Sequence, residues 1–313
     1  MCLPASDNLY QLTMGIKMRL KLQTFFLLLF LLPAYLYGQV PSLFEIQDQP
    51  ETEWAAKTAS DIRRVAIMMN EDLLQTLRSG ETELFTMPDL SGQPVRIEVQ
   101  RIIEQLDGDW SLTGHIEGNW MDSFFLSVSG GQVLSSFRQT TDHQFLEIRY
   151  KPDQQSHFLL DIDPHQREEL ACGHEEDLTI LSPNSGGLNQ RKEVPAETDE
   201  PVIIDVMIVY TPAAETWANR NGGGIRNVVN QSMAIAQQTV DNSELNLLFR
   251  LVHQRRVDYS ETGNSSTDLR NLTNGVIPGV HSLRNEYGAD LVSMFTSTHD
   301  VGGIAWMQIS RNP

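Results

Sequence analysis

Apolar residues recur along this chain with more than one period, and the changes of period divide it. Trp54, Ala55, Ala59, Ile62, Val65, Ala66, Met69, Leu73 and Leu77 are spaced by three and four residues, which predicts a helix over 52–79. From Gly80 to about Ile162 the pattern becomes short alternating stretches, among them Val95–Val99, Phe124–Val128, Val133–Phe137, Phe145–Tyr150 and His157–Ile162. Turn formers separate them: Asp107-Gly108-Asp109, Glu117-Gly118-Asn119, Ser129-Gly130-Gly131 and Lys151-Pro152-Asp153. Strands punctuated in this way predict an antiparallel sheet or sandwich. Residues 182–201 then hold almost no large apolar side chain and three prolines, the composition of a linker.

Beyond the linker the pattern changes again. Ile203–Tyr210 is apolar except for Asp205 and predicts a buried strand, ended by Thr211-Pro212. Ile225, Val228, Val229, Met233, Ala236 and Val240 share one face of a helix that follows Gly222-Gly223-Gly224 and stops at Asp241-Asn242-Ser243. Leu245–Val257 alternates as a second strand. Ser266-Thr267-Asp268 offers an N-cap for a helical region running through Val280 and Leu283 to Tyr287, with Gly288 as its stop. Asp290–Phe295 is a third strand and Gly302–Met307 a candidate fourth. Strands alternating with helices predict an α/β layer.

The N-terminus changes the picture. Lys17, Arg19 and Lys21 precede the unbroken apolar run Phe25–Leu32, and Pro33 to Gly38 follow it. That is a secretory signal, with cleavage expected after Gly38 and Met18 a candidate true start. A membrane span needs about 20 apolar residues, far more than this run supplies. The expected mature chain is therefore exported, with no membrane anchor after signal cleavage. Of two cysteines, Cys2 lies ahead of the signal core, which leaves Cys172 unpaired and no intrachain disulfide to form. The 313 residues carry 41 acidic and 23 basic side chains, a formal charge of -18 that argues against a nucleic-acid partner. The dibasic pair Arg191-Lys192 in the linker is a candidate processing cut. Asn230, Asn264 and Asn271 each open an Asn-x-Ser/Thr glycan acceptor triplet.

The residues alone contain no complete catalytic set. There is no Gly-x-Ser-x-Gly elbow and no phosphate loop. None of the eight histidines has a second histidine four residues on, the spacing by which one helix aims two imidazoles at zinc. His174-Glu175 begins like HExxH, but Leu178 stands where the second ligand would be.

The C-terminal third resembles the reprolysin-like metzincins of the peptidyl-Asp metalloendopeptidase type. The resemblance starts at Ile204–Ala214, continues through Asn230–Asn246, Leu251-Val252-His253, Val257-Asp258-Tyr259, Ser266–Leu269 and Val280–Val292, and reaches Gly303-Ile304-Ala305. His157–Pro164, with a cysteine shortly after, is similar to pro-regions of that family. The resemblance implies a zinc peptidase, with HExxHxxGxxH supplying three histidine ligands and a glutamate that takes a proton from zinc-bound water. That motif is absent from these residues, so the chain is expected to be a precursor cut short before the zinc site and inactive by itself. The resemblance also implies that Gly303, Ile304 and Ala305 form an edge strand lining the substrate cleft. Cys172, followed by Gly173, becomes a candidate inhibitory switch ligand for the metal. Where relatives often carry a cysteine before Gly-Ile-Ala, this chain has Gly302.

The resulting expectation is a signal peptide with N-terminal extension over 1–38, a pro-region over 39–181, a linker over 182–201 and the front of a catalytic domain over 202–313. The fold class is an α+β pro-region, helix plus antiparallel sheet or sandwich, followed by the N-terminal half of an α/β metzincin domain. The expected function is that of a secreted metalloendopeptidase precursor acting on polypeptides. Two rivals stand beside it: a non-catalytic exported binding or inhibitory protein derived from such a pro-region, and a secreted β-sandwich with an unrelated α/β tail.

Overall fold

The computed structural model describes residues 40–47, 61–140, 144–163, 172–174 and 200–306, with 61–63 and 172–174 described as backbone. The signal segment and the pair Arg191-Lys192 lie outside these residues, as do residues 182–199 of the linker. At the front of the chain alternation prevails over helical spacing. Residues Asp61–Met69, expected to be helical, form strand β2, which follows β1 (Phe44–Ile46). Ile67 and Met69 turn to the core while Met68 between them is exposed, and Ala66 joins a cluster with Phe158 on the other face. The helix begins only at α1 (Glu71–Arg78), where the Asn70 side chain accepts from the Leu73 N–H at 3.0 Å. Nine apolar residues at three- and four-residue steps fitted a helix, but Val65, Ile67 and Met69 also fit a period of two. Pairing of β2 with another strand decided between them.

That partner is β9 (Ser156–Ile162), antiparallel to β2 with Ile67 opposite His157. Between them come β3 (Leu84–Pro88), β4 (Pro94–Glu104), β5 (Trp110–Ile116), β6 (Asn119–Ser129), β7 (Gln132–Gln139) and β8 (Gln144–Lys151). The nine strands form one sheet in the order β1-β2-β9-β8-β7-β6-β5-β4-β3, and every pairing in it is antiparallel. Its two edges approach each other, since Ser42 bridges Thr86 and the Leu43 N–H donates to the Thr86 carbonyl at 2.8 Å. The sheet is thus almost closed on itself, a near-barrel rather than a sandwich. Phe44, Phe85, Phe124 and Phe137 fill it, with Phe85 and Phe124 edge to face at 5.4 Å. Leu73, Leu74 and Leu77 of α1 join the same core.

The second part follows its sequence pattern closely. Strand β10 (Cys172–His174) precedes it, and β11 (Val202–Tyr210), β12 (Leu247–Arg256) and β13 (Leu291–Phe295) form a parallel sheet in the order β12-β11-β13. Four helices cover it: α2 (Pro212–Asn221), α3 (Ile225–Asn242), α4 (Ser265–Thr273) and α5 (Val280–Tyr287). The central strand β11 splits its side chains between them. Val206 and Ile208 pack with Ala218, Val229 and Met233 of α2 and α3, while Met207 and Val209 pack with Leu272 and Val280 of α4 and α5. Helices thus lie on both faces, as a buried parallel strand requires.

Thr211-Pro212 does more than end β11. Thr211 Oγ1 accepts from the Ala214 N–H at 3.0 Å and proline occupies the first turn, so the pair starts α2. The single helical region predicted over 266–287 is two helices, with Gly279 and Gly288 in the left-handed region bounding the second. The described residues from 42 onward cluster as one unit. Among the described residues no helix is long and apolar enough to cross a membrane.

Candidate functional site

The last described strand, β14 (Gly303–Ala305), pairs with β10 and not with the three-stranded sheet. The pairing is parallel, with Cys172 opposite Gly303, Gly173 opposite Ile304 and His174 opposite Ala305. The two sequence features singled out on either side of the linker therefore meet as neighbouring backbones. A strand edge offers alternate N–H and C=O groups to any extended segment, and here β10 takes up one such edge of β14.

The segment leading into β14 is held by hydrogen bonds to neighbouring elements. Asp300 accepts from the Ser265 N–H at 2.8 Å and from the Ser265 hydroxyl at 2.5 Å, at the start of α4. These bonds, the hydroxyl first, hold the Asp300 carboxyl below the usual carboxylate range. Trp306 Nε1 donates to Thr273 Oγ1 at 2.6 Å, at the end of the same helix. Glu261 ties the loop after β13 to the end of β11: it accepts from the Thr211 hydroxyl, from Ser297 N–H at 2.8 Å and hydroxyl at 3.0 Å, and from the Thr298 hydroxyl at 2.9 Å. Burial alone raises its pKa, but these donors outweigh burial and leave the carboxyl below its ordinary range. One oxygen of buried Asp268 accepts from Tyr259 OH at 2.6 Å and from the Thr262 N–H and hydroxyl at 3.1 and 2.8 Å.

Between this framework and the α2–α3 face of the sheet runs a groove of about 790 Å³. Val206 and Ile208 of β11, Trp217 of α2, Met233 of α3 and Leu291 of β13 line it, and Gly303–Ala305 form part of its wall. Trp217 and Leu291 are about half exposed there.

Four of the described histidines are occupied elsewhere, while His299 stands exposed in the loop between β13 and β14. His157 is partly buried, accepts from the Val133 N–H at Nε2 (2.9 Å), and is pushed down to about 4 by burial. His253 stacks on Tyr287 at 4.0 Å, His281 Nε2 lies 3.3 Å from the Leu272 carbonyl, and His115 faces Glu98 at 3.3 Å. Among the described residues no three His, Cys, Asp or Glu side chains come together in a way that could hold a metal. They do not fit a zinc site by themselves. The glycan triplets fare no better at Asn230, which is fully buried with its amide bonded to Asp109. Asn264 caps α4, and Asn271 Nδ2 donates to Tyr259 OH at 2.8 Å.

One constellation escaped the sequence reading. Asn227, Asn230, Gln231 and Gln238 form a second, polar face along α3, turned to the nine-stranded sheet. Its signal was a three- and four-residue spacing of amides beside the apolar stripe.

No family model matches the chain. It is similar to the peptidyl-Asp metalloendopeptidase of Stenotrophomonas maltophilia (strain R551-3), with 28% identity over 188 residues, 59% of this chain and 43% of that protein. A protein of the same name from Xanthomonas campestris pv. campestris is 28% identical over 192 residues, again 59% and 43% of the two chains. The protein of that name from Pseudomonas aeruginosa is 36% identical over 107 residues, 33% of this chain and 16% of its own length. The chain thus spans less than half the length of these curated relatives. Among solved structures, metalloproteinase-II from Bacteroides fragilis aligns with a TM-score of 0.37 and 10% identity, covering 66% of this chain and 63% of that one. The sequence similarities support a relationship to metalloproteases in general.

Proposed function

We propose that the chain is the front portion of a secreted, zinc-dependent metalloendopeptidase precursor of the metzincin type. In this reading residues 1–38 direct export, 39–181 are an inhibitory pro-region, 182–201 a linker and 202–313 the front of the catalytic domain. The observation that carries it is the parallel seating of Cys172–His174 on Gly303–Ala305. A peptide substrate held by strand addition needs backbone groups along an edge of β14, and a segment from ahead of the linker already occupies one. Occupation by the same chain is favoured over a free peptide because tethering raises the effective concentration. The named activity of the relatives supports the reaction class, and polypeptides are the substrates it implies.

The metal in this reading is zinc, which makes bound water nucleophilic near neutral pH when held by three imidazoles. Its histidine ligands are not among the 313 residues. Cys172 is the candidate switch ligand, acting as a thiolate on the metal's open position.

The test is expression of the reading frame continued past the Pro313 codon. It is expected to encode HExxHxxGxxH and to yield a chelator-sensitive peptidase, whose latency Cys172→Ser shortens. The 313-residue chain by itself is expected to hydrolyse no peptide. Chelator-sensitive turnover by that chain, or the absence of such a motif in all three frames, would overturn the reading.

A further inference from the structure

Helix α3 is buried on two sides of different chemistry. Ile225, Val229 and Met233 face the parallel sheet, as the apolar stripe requires. The opposite side carries Asn227 and Asn230, both fully buried, and they meet β5, β6 and β7 of the nine-stranded sheet. The sheet answers with small hydroxyls: Ser111 and Ser127 are fully buried at this contact. Ser111 Oγ donates to the Asn230 carbonyl at 3.3 Å and Ser127 Oγ to the Asn227 carbonyl at 3.1 Å. Asn227 Nδ2 donates to the Gln132 carbonyl at 3.0 Å.

Charges frame this contact at both ends of the helix. Asp109 Oδ2, itself buried, accepts from Arg226 Nε at 2.9 Å and from Asn230 Nδ2 at 3.1 Å. Near the C-terminus, the Arg101 guanidinium grips Asp241 with two bonds of 2.8 and 3.0 Å. Each pair joins one residue of the nine-stranded sheet's segment to one of α3.

A helix that belongs permanently to a sheet buries an apolar stripe against it, as α3 does on its other side. Polar groups cost little to return to water, since they regain there the hydrogen bonds they give up. A contact made of serine hydroxyls, amides and framed ion pairs is therefore of the kind found between separable partners, whereas obligate interfaces are more apolar. The two parts also keep their own apolar cores, the aromatic one inside the near-barrel and those on either face of β11, with Leu106 from the segment between β4 and β5 packed against the α2–α3 core as the one apolar crossing among the described residues.

We propose that the amide face of α3 is a docking surface whose partner is the hydroxyl-lined outer face of β5–β7. Scission of the connection between the parts then leaves a 1:1 non-covalent complex, which separates without either part losing its core. The inference goes beyond the peptidase reading and does not rest on it.

The experiment uses the full chain with a recognition sequence for a specific protease placed within 182–199. After cutting, the two pieces are expected to co-elute on gel filtration at micromolar concentration. Asn230→Asp sets a second carboxylate against Asp109, and Arg101→Glu sets one against Asp241. Each is expected to weaken the complex about tenfold or more, since like charges in contact cost at least the ~1.4 kcal/mol that a tenfold change represents. Where Asn230→Asp prevents folding of the uncut chain, Arg101→Glu decides, because its pair lies at the margin with the arginine partly exposed. Pieces that separate at once, pieces that aggregate on cutting, or a complex that the variants leave unchanged would each overturn the proposal. Peptidase activity enters none of these readouts.

Discussion

His157 shows how one partly buried side chain sets a pH limit. Its ring stands 5.0 Å from Tyr150 and accepts the Val133 N–H, a role only the neutral imidazole can fill. Burial holds its pKa at about 4, against 6.5 for an ordinary histidine. Between those values the unfolded chain binds the proton and the folded chain does not. This contribution is therefore complete above pH 6.5 and is lost as the pH falls toward 4, by at most about 3 kcal/mol. Urea denaturation at pH 7.5, 6 and 4.5 should show that loss, and His157→Gln should show less of it. Equal pH dependence in both proteins would exclude the assignment. Gly114 is a steric case. A Cβ there would stand 2.6 Å from the Glu98 carbonyl oxygen, beside a register shift in the β4–β5 ladder. Gly114→Ala must open that pairing and is expected to destabilise by about 1–3 kcal/mol, the range for overpacking a tight site. An unchanged denaturation midpoint would show that the ladder yields freely.

At the scale of elements, the junction of β2 and α1 rests on Asn70. Its Oδ1 caps the helix at the Leu73 N–H, while its Nδ2 donates to the Ser42 carbonyl at 3.0 Å. Asn70→Ala therefore removes a cap and a tie to the segment that closes the near-barrel. A loss of about 1–2 kcal/mol is expected from the cap alone. Thermal melting of the variant measures it, and a shift indistinguishable from zero would mean that another donor or acceptor takes over. The same junction explains why helix was expected over 52–79. Alternation and helical spacing share residues in Ile62–Met69, and only pairing with β9 separates them. The α2 helix was hidden for the opposite reason, since Thr-Pro both closes a strand and opens a helix.

Across the whole molecule, α3 links two sheets that share no strand. Its apolar side completes one core and its polar side seats the other part, so the near-barrel can open without stripping the apolar side. The two parts of the uncut chain are accordingly expected to unfold in separate steps. Separated transitions by far-ultraviolet circular dichroism and tryptophan fluorescence would support this; coincident transitions would show that the polar contact couples the parts tightly. Sequence alone was enough for the β11, α3, β12 and β13 segments and for the alternating strands β4, β6, β7, β8 and β9, because burial imposes period two or 3.6 on neighbouring residues, whereas β5, buried along both faces, shows no alternation. It also drew attention to Cys172 and to Gly303–Ala305 separately, one ahead of the linker and one after it. Only the tertiary structure decided that those two segments pair, that the nine-stranded sheet nearly closes through Ser42 and Thr86, and that the amides of α3 face serines more than 90 residues away in the chain. Contacts between residues distant in sequence leave no period along the chain, so local pattern carries no record of them.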